Sequence, residues 1–188
     1  MKTSWRGVFP AATTQFNDDF SINYAATQKV QQALIDDGVN GLIILGTCGE
    51  NNSLLPEEKR KVLQGAVEVA KGRVPVIAGV SELDTARAVE YARDAEKIGA
   101  DGLMVLPAMV YVPTEDELAA HFQAVAAASA LPQMLYNNPP AYRVSITSSL
   151  LHSLHSTANI VAVKESAPDS RRFTDLLNEF GDRYEIFA

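Results

Sequence analysis

Seven short runs of β-branched and aliphatic residues punctuate the chain: Val8-Phe9-Pro10-Ala11, Leu42-Ile43-Ile44-Leu45, Val76-Ile77-Ala78-Gly79, Leu103-Met104-Val105-Leu106, Gln133-Met134-Leu135-Tyr136, Ile160-Val161-Ala162-Val163 and Tyr184-Glu185-Ile186-Phe187. Apolar runs of this length, bounded by turn residues, predict buried strands. From the second run to the seventh the starts lie 34, 27, 30, 27 and 24 residues apart, the pitch of a strand, a loop and a helix repeated. That rhythm predicts βα units around a parallel sheet.

The intervening segments carry helix punctuation. Thr114-Glu115-Asp116-Glu117 is a capping-box pattern followed by the amphipathic stretch Leu118 to Val125, so a helix starts there. Pro56 followed by Glu57 and Glu58 places a proline and two acids in a first turn, and Lys71-Gly72 closes the same helix. Asp36-Asp37-Gly38-Val39-Asn40-Gly41 and Lys97-Ile98-Gly99-Ala100-Asp101-Gly102 are near copies of one helix-to-strand turn, which suggests repeated units.

Strands at this pitch fit an open doubly wound sheet or a (β/α)8 TIM barrel. Neither a Gly-x-Gly-x-x-Gly nor a Walker loop follows an early strand, so nothing supports a nucleotide fold. A barrel normally takes about 250 residues, and the sequence stops inside its seventh strand at Ala188. The expectation is one α/β domain over residues 1–188, a TIM barrel truncated after the seventh strand and incomplete at the C-terminus.

Composition narrows the function classes. The 188 residues are 47% apolar and 21% charged, an ordinary globular balance with length for one sizeable core. Sixteen Lys and Arg against 23 Asp and Glu give a net charge of -7 without long charge runs, which argues against nucleic acid as a partner. No apolar stretch approaches the ~18 residues of a membrane span. The single cysteine, Cys48, has no intrachain partner, and the start Met1-Lys2-Thr3-Ser4-Trp5-Arg6 lacks the apolar core of a secretion signal; both point to the cytoplasm.

In a barrel the chemistry gathers at the C-terminal ends of the strands. Four segments follow such ends: Gly46-Thr47-Cys48-Gly49-Glu50-Asn51, Pro107-Ala108-Met109-Val110-Tyr111, Tyr136-Asn137-Asn138-Pro139-Pro140 and Lys164-Glu165-Ser166. Lys164 begins where its strand leaves the core, and burial there favours the neutral amine that Schiff-base chemistry needs. Its bland reading is a lysine that reaches solvent and pairs with Glu165. Tyr136 carries a phenol suited to general acid or base work, or is simply a packed ring. What joins the two is that they close adjacent strands on the same face. Gly46-Thr47-Cys48-Gly49 brings backbone amides close enough to hold a carboxylate, or is a plain βα turn. No His stands near Cys48 in the sequence, so it reads as a small buried side chain. His152 and His155 stand i,i+3 on one predicted helix, but no third ligand accompanies them, and no metal is expected. Trp5 reads as a packing residue.

Gly46-Thr47-Cys48-Gly49-Glu50, Tyr136-Asn137-Asn138-Pro139 and Val163-Lys164-Glu165-Ser166 occur in order, with 28 residues from the tyrosine to the lysine. In this combination the chain resembles the dihydrodipicolinate synthase / N-acetylneuraminate lyase family over nearly its whole length. The resemblance implies a (β/α)8 class I aldolase-type lyase that joins a lysine to a 2-oxo acid, commonly pyruvate, as an imine, without metal or organic cofactor. By matching position, it implies Lys164 as the Schiff-base lysine, Tyr136 as the proton-relay tyrosine and Thr47 as the hydroxyl linked to it. The amides of Thr47 and Cys48 would bind the 2-oxo acid carboxylate beside Gly46. Tyr111 would complete the relay, often from a neighbouring subunit, and family members are commonly homotetramers or homodimers.

The departures bear on the second substrate. Ala141 stands where the family's synthase has an arginine that holds the second carboxylate, and the nearest arginine is Arg143. Cys48 replaces the family's second threonine, Ala108-Met109 replaces an aromatic pair, with Tyr111 shifted, and Gln15 replaces a proline. Tyr142, in the loop after the fifth strand, is a candidate for substrate selection. The leading expectation is a lyase acting on a 2-oxo acid such as a 2-keto-3-deoxy sugar acid, as aldolase or dehydratase. The family's synthase activity, a non-catalytic 2-oxo acid binding protein and an inactive fragment are the alternatives.

Overall fold

The computed structural model describes Thr3 and residues 5–188; Met1, Lys2 and Ser4, read above as part of a start without a secretion signal, lie outside the described residues. Six strands form one parallel sheet: β1 (Leu42–Ile44), β2 (Val76–Val80), β3 (Gly102–Val105), β4 (Gln133–Asn137), β5 (Ile160–Glu165) and β6 (Glu185–Phe187). Their spatial order is their sequence order. A doubly wound sheet reverses its strand order partway; this one never does, and curls as a partial (β/α)8 barrel. The remaining predicted strand, at Val8 to Ala11, is not a regular strand. It runs beside β1 through one parallel bridge, Ala11 to Ile43, and Pro10, which has no N–H to give, only accepts from the Ile43 amide.

Alternation along the strands sorts side chains into two cores. Leu42, Ile44, Ala78, Val80, Leu103, Val105, Leu135 and Val163 face the helices, whereas Ile43, Ile77, Met104, Met134, Tyr136 and Ala162 face the lumen. The outer layer is α1 (Tyr24–Asp36), α2 (Pro56–Ala70), α3 (Thr85–Ile98), α4 (Glu115–Ala128), α6 (Ser148–Ser153) and α7 (Arg171–Phe180), with a four-residue α5 (Pro139–Tyr142) after β4. Both helix starts read from the sequence form. Pro56 opens α2 with Glu57 and Glu58 in its first turn, and Thr114 caps α4, exchanging hydrogen bonds with Glu117. Each large aliphatic residue fully buried in these layers stabilises the fold by about 1.5–3 kcal/mol.

The two near-copied turns are a true structural repeat. Gly38 and Gly99 both adopt positive φ, 88° and 98°, which side-chain-bearing residues rarely tolerate. Two residues on, Asn40 accepts from the Val8 amide and Asp101 from the Val76 amide, each at 2.8 Å. Each thereby caps the start of the extended segment before it. Trp5, 4% exposed, lies in the lumen cluster; its ring lies against Gly102, where an added Cβ would come within 2.3 Å. It is the packing residue expected, closing the lumen at the strand starts. Among the described residues no helix is long and apolar enough to cross a membrane.

His121 of α4 ties two layers together near the C-terminal ends of the strands. One ring nitrogen lies 2.9 Å from the Thr85 hydroxyl and the other 3.1 Å from the Leu106 carbonyl. Burial pushes its pKa below the ordinary histidine value, partly countered by the Leu106 bond. The unfolded chain therefore takes up a proton as pH falls through about 6.5 while the folded chain stays neutral, so this contribution is full above that pH and is lost below it. Urea unfolding at pH 7.5 and 5.5 should show wild type losing more stability than His121→Gln, by at most about 1.4 kcal/mol per pH unit.

Candidate active site

The site forms where β4 and β5 end side by side. Tyr136 pairs with Lys164 and Asn137 with Glu165 in the parallel register. Because successive side chains alternate between faces, Tyr136 and Lys164 turn into the lumen while Asn137 and Glu165 turn outward beneath the helices. The Lys164 Nζ stands 4.4 Å from the centre of the Tyr136 ring. Lys164 lies inside β5 rather than just past the predicted end at Val163, so a strand fixes its Cα.

Glu165 does not pair with Lys164. Its side chain is fully buried on the opposite face, where Arg172 Nε donates to it at 2.7 Å. The Asn137 amide group donates to both carboxylate oxygens, at 2.8 and 2.9 Å, and the Ala167 N–H adds a further bond at 2.8 Å. Asn137 also accepts from the Ile146 amide, and Arg172 bonds the Ile146 carbonyl. This network joins β4, β5, α7 and the chain after α5. Arg172 and the role of Asn137 were missed in the sequence; the available signal was the alternation itself, which turns the residue after an inward lysine outward.

Two further groups meet Tyr136. Asn138 caps α5 and donates to the Tyr136 hydroxyl at 3.1 Å. The Tyr142 ring stands edge-on to that of Tyr136, with centroids 5.7 Å apart. The hydroxyls of Tyr142 and Thr47 share a hydrogen bond of 2.8 Å. Thr47 is therefore bonded to Tyr142, where the resemblance implied a link to Tyr136. Burial pushes the Tyr142 phenol above its ordinary value, partly countered by this bond; the group stays protonated at neutral pH.

The Gly46 loop is a 3-10 turn over Thr47–Gly49. Its first internal bond runs from the Gly49 amide to the Gly46 carbonyl, so the Thr47 and Cys48 amides have no acceptor inside the turn. The loop's approach is set by Leu45, held at φ 62°. Its carbonyl would lie 2.2 Å from any Cβ at position 79, so only glycine fits there. Cys48 is exposed, not buried as expected. Gly49 is the residue of this turn that packs inward, against the Ala12 carbonyl, and this leaves Cys48 on the rim.

Within one chain Tyr111 lies apart from the Lys164 cluster. It is 56% exposed in the run Met109 to Val112, on the wall of a cavity of about 250 Å³ that Ala141, Tyr142 and Arg143 also line. Arg143 ends α5 in the left-handed conformation, φ 59°, with its exposed side chain on that cavity. A larger cavity of about 770 Å³ lies at the seam between residues 5–10 and 173–188, and its lining includes none of the Lys164 cluster. His152 and His155 do not share a helix: α6 ends at Ser153, and His152 bonds Glu179.

The profile of the Dihydrodipicolinate synthetase family matches residues 4–188. The chain is 35% identical over 185 residues to the 4-hydroxy-tetrahydrodipicolinate synthase of Salinibacter ruber, covering 98% of this chain and 61% of that protein. It is similar to a sialic acid aldolase of Ruminococcus gnavus solved as a catalytic lysine mutant, with TM-score 0.95 and 26% identity, over 100% of this chain and 63% of that one. It is also similar to a prophage protein of the dihydrodipicolinic acid synthase family from E. coli K12, solved in complex with pyruvate. That match has TM-score 0.89 and 28% identity, over 94% of this chain and 60% of the other. The chain thus spans about three fifths of the length of these relatives.

Removing Arg172 would strip the buried Glu165 carboxylate of its cation, a change that costs on the order of 3 kcal/mol. Arg172→Met should lower urea-unfolding stability by that amount, and adding Glu165→Gln to the variant should restore part of the loss.

Proposed function

The chain belongs to the dihydrodipicolinate synthetase family, and from that premise we propose that it is a lyase that joins Lys164 to pyruvate or another 2-oxo acid as a Schiff base. The observation that carries this reading is the Lys164 amine over the Tyr136 ring, both held by paired strand ends. The amine adds to the C2 carbonyl, giving a carbinolamine. The Tyr136 phenol protonates its hydroxyl and water leaves, so the imine remains in its protonated form with Tyr136 as phenolate. The protonated imine then draws electrons from the neighbouring bond, so a carbanion at C3 is stored as an enamine and carbon-carbon cleavage, condensation or dehydration becomes accessible. The Thr47 and Cys48 amides, beside Gly46, suit the carboxylate of the 2-oxo acid. No step of this scheme calls for a metal or organic cofactor.

Support for pyruvate comes from the E. coli prophage relative, solved with pyruvate bound, and support for the lysine from the aldolase relative, whose mutated residue is a catalytic lysine. The Salinibacter ruber relative is a 4-hydroxy-tetrahydrodipicolinate synthase, which favours that activity as the second reading. Against it stands Ala141, where the synthase pattern has an arginine. Arg143 on the 250 Å³ cavity instead suits the oxygens of a sugar-acid partner, the aldolase or dehydratase reading. The exposed run Met109 to Val112 is the apolar surface that a homodimer or homotetramer would cover. An unpaired Cys48 fits a reducing cytoplasm.

The test is to mix the protein with pyruvate, reduce with borohydride and locate the adduct by intact and peptide mass spectrometry. An adduct confined to Lys164 and absent from Lys164→Ala is expected. Folded protein that gives no adduct with pyruvate or longer 2-oxo acids would sink the imine reading and leave a binding role.

A further inference from the structure

Two tyrosines flank the cavity beside the site, and only one of them engages Thr47. Tyr111 is 56% exposed on the far wall. Tyr142 lies 2.8 Å from the Thr47 hydroxyl, hydroxyl to hydroxyl, with its ring edge-on to Tyr136. The same short helix fixes both phenols: Asn138 caps it and also donates to the Tyr136 hydroxyl, and Tyr142 is its last residue.

A threonine hydroxyl rotates freely, with one hydrogen to give and two lone pairs to accept. A phenol is the better donor of the pair, and a neutral one has its hydrogen to give. The stable arrangement is Tyr142 donating to Thr47, which leaves the Thr47 hydrogen for a third group. We infer that Tyr142 is the positioning residue of this site: its phenol holds the Thr47 hydroxyl so that the threonine hydrogen is offered to the bound 2-oxo acid, and the pairing is completed within one chain. This role rests on the imine reading above. It also gives Tyr142 the part in completing the relay that the resemblance assigned to Tyr111, often of a neighbouring subunit.

The test measures the rate at which the borohydride-trapped pyruvate adduct forms on Lys164. Tyr142→Phe keeps the ring against Tyr136 and removes only the hydroxyl, and should slow the adduct about tenfold. Thr47→Val should slow it at least as much. The double variant should be no slower than Thr47→Val alone, because Tyr142 acts through Thr47; a purely packing role for the ring would produce neither the loss nor this non-additivity. The inference fails if Tyr142→Phe reacts at the wild-type rate, if the two losses multiply, or if Tyr111→Phe slows the adduct while Tyr142→Phe does not. Wild-type protein that forms no adduct with any 2-oxo acid overturns the imine reading together with this one, whereas a reactive wild type with an unaffected Tyr142→Phe overturns only the positioning role.

Discussion

The pairing of β4 with β5 governs everything around Lys164. Side chains alternate along a strand, so a slip of one residue would send Lys164 under the helices and bring Glu165 into the lumen. The ladder alone does not forbid this, since the same pair already absorbs an irregularity between Gln133 and Met134. The Glu165 carboxylate supplies the missing constraint. A buried anion is tolerated only where it is paired and hydrogen-bonded, and its donors, Asn137, Ala167 and Arg172, surround it only in the observed register. The outer layer thus fixes which residue the inner layer presents.

The two ends of the strands do different work. At their starts, Asn40 and Asp101 cap neighbouring extended segments and Trp5 fills the lumen. These contacts serve stability. At their ends the backbone is brought unusually close, with the Leu45 carbonyl against Gly79, and the loops after β1, β3 and β4 carry Thr47, Met109 and Tyr142. Asn52 and Ser81 bind this rim together through their mutual hydrogen bond and the Met109 sulfur. In a barrel such an arrangement keeps the chemistry on segments that can vary without disturbing the core.

The parallel sheet, its strand positions and the helix starts at Pro56 and Thr114 were legible because each rests on local chemistry: apolar runs, proline at a first turn, a capping box. The repeated turn was legible for the same reason, since Gly38 and Gly99 each meet a backbone demand within a few residues. The meeting of Tyr136 and Lys164 was legible from strand spacing and alternation. What escaped were features decided by distant packing. Cys48 was read as buried from its residue type, yet the turn gives the inward place to Gly49. Thr47 was linked to Tyr136 by the family pattern, yet the position of α5 brings Tyr142 to it. Val8 to Ala11 read as a strand, but Pro10 has no amide to extend the ladder.

Where the departures from the family pattern fall has a physical reason. Lys164 and Tyr136 stand on paired strands, and the proposed imine chemistry would need that fixity, because the amine must reach the carbonyl carbon while the acid reaches its oxygen. Four of the changed positions, Ala108, Met109, Ala141 and the shifted Tyr111, lie on the two loops that wall the 250 Å³ cavity, whereas Cys48 lies in the turn after β1 and Gln15 before α1. Loops carry few buried contacts and accept new side chains at little cost to the core. Tyr142 belongs to both regions, with its hydroxyl on Thr47 and its side chain on the cavity wall, so that a change in the loop reaches Thr47 through this phenol.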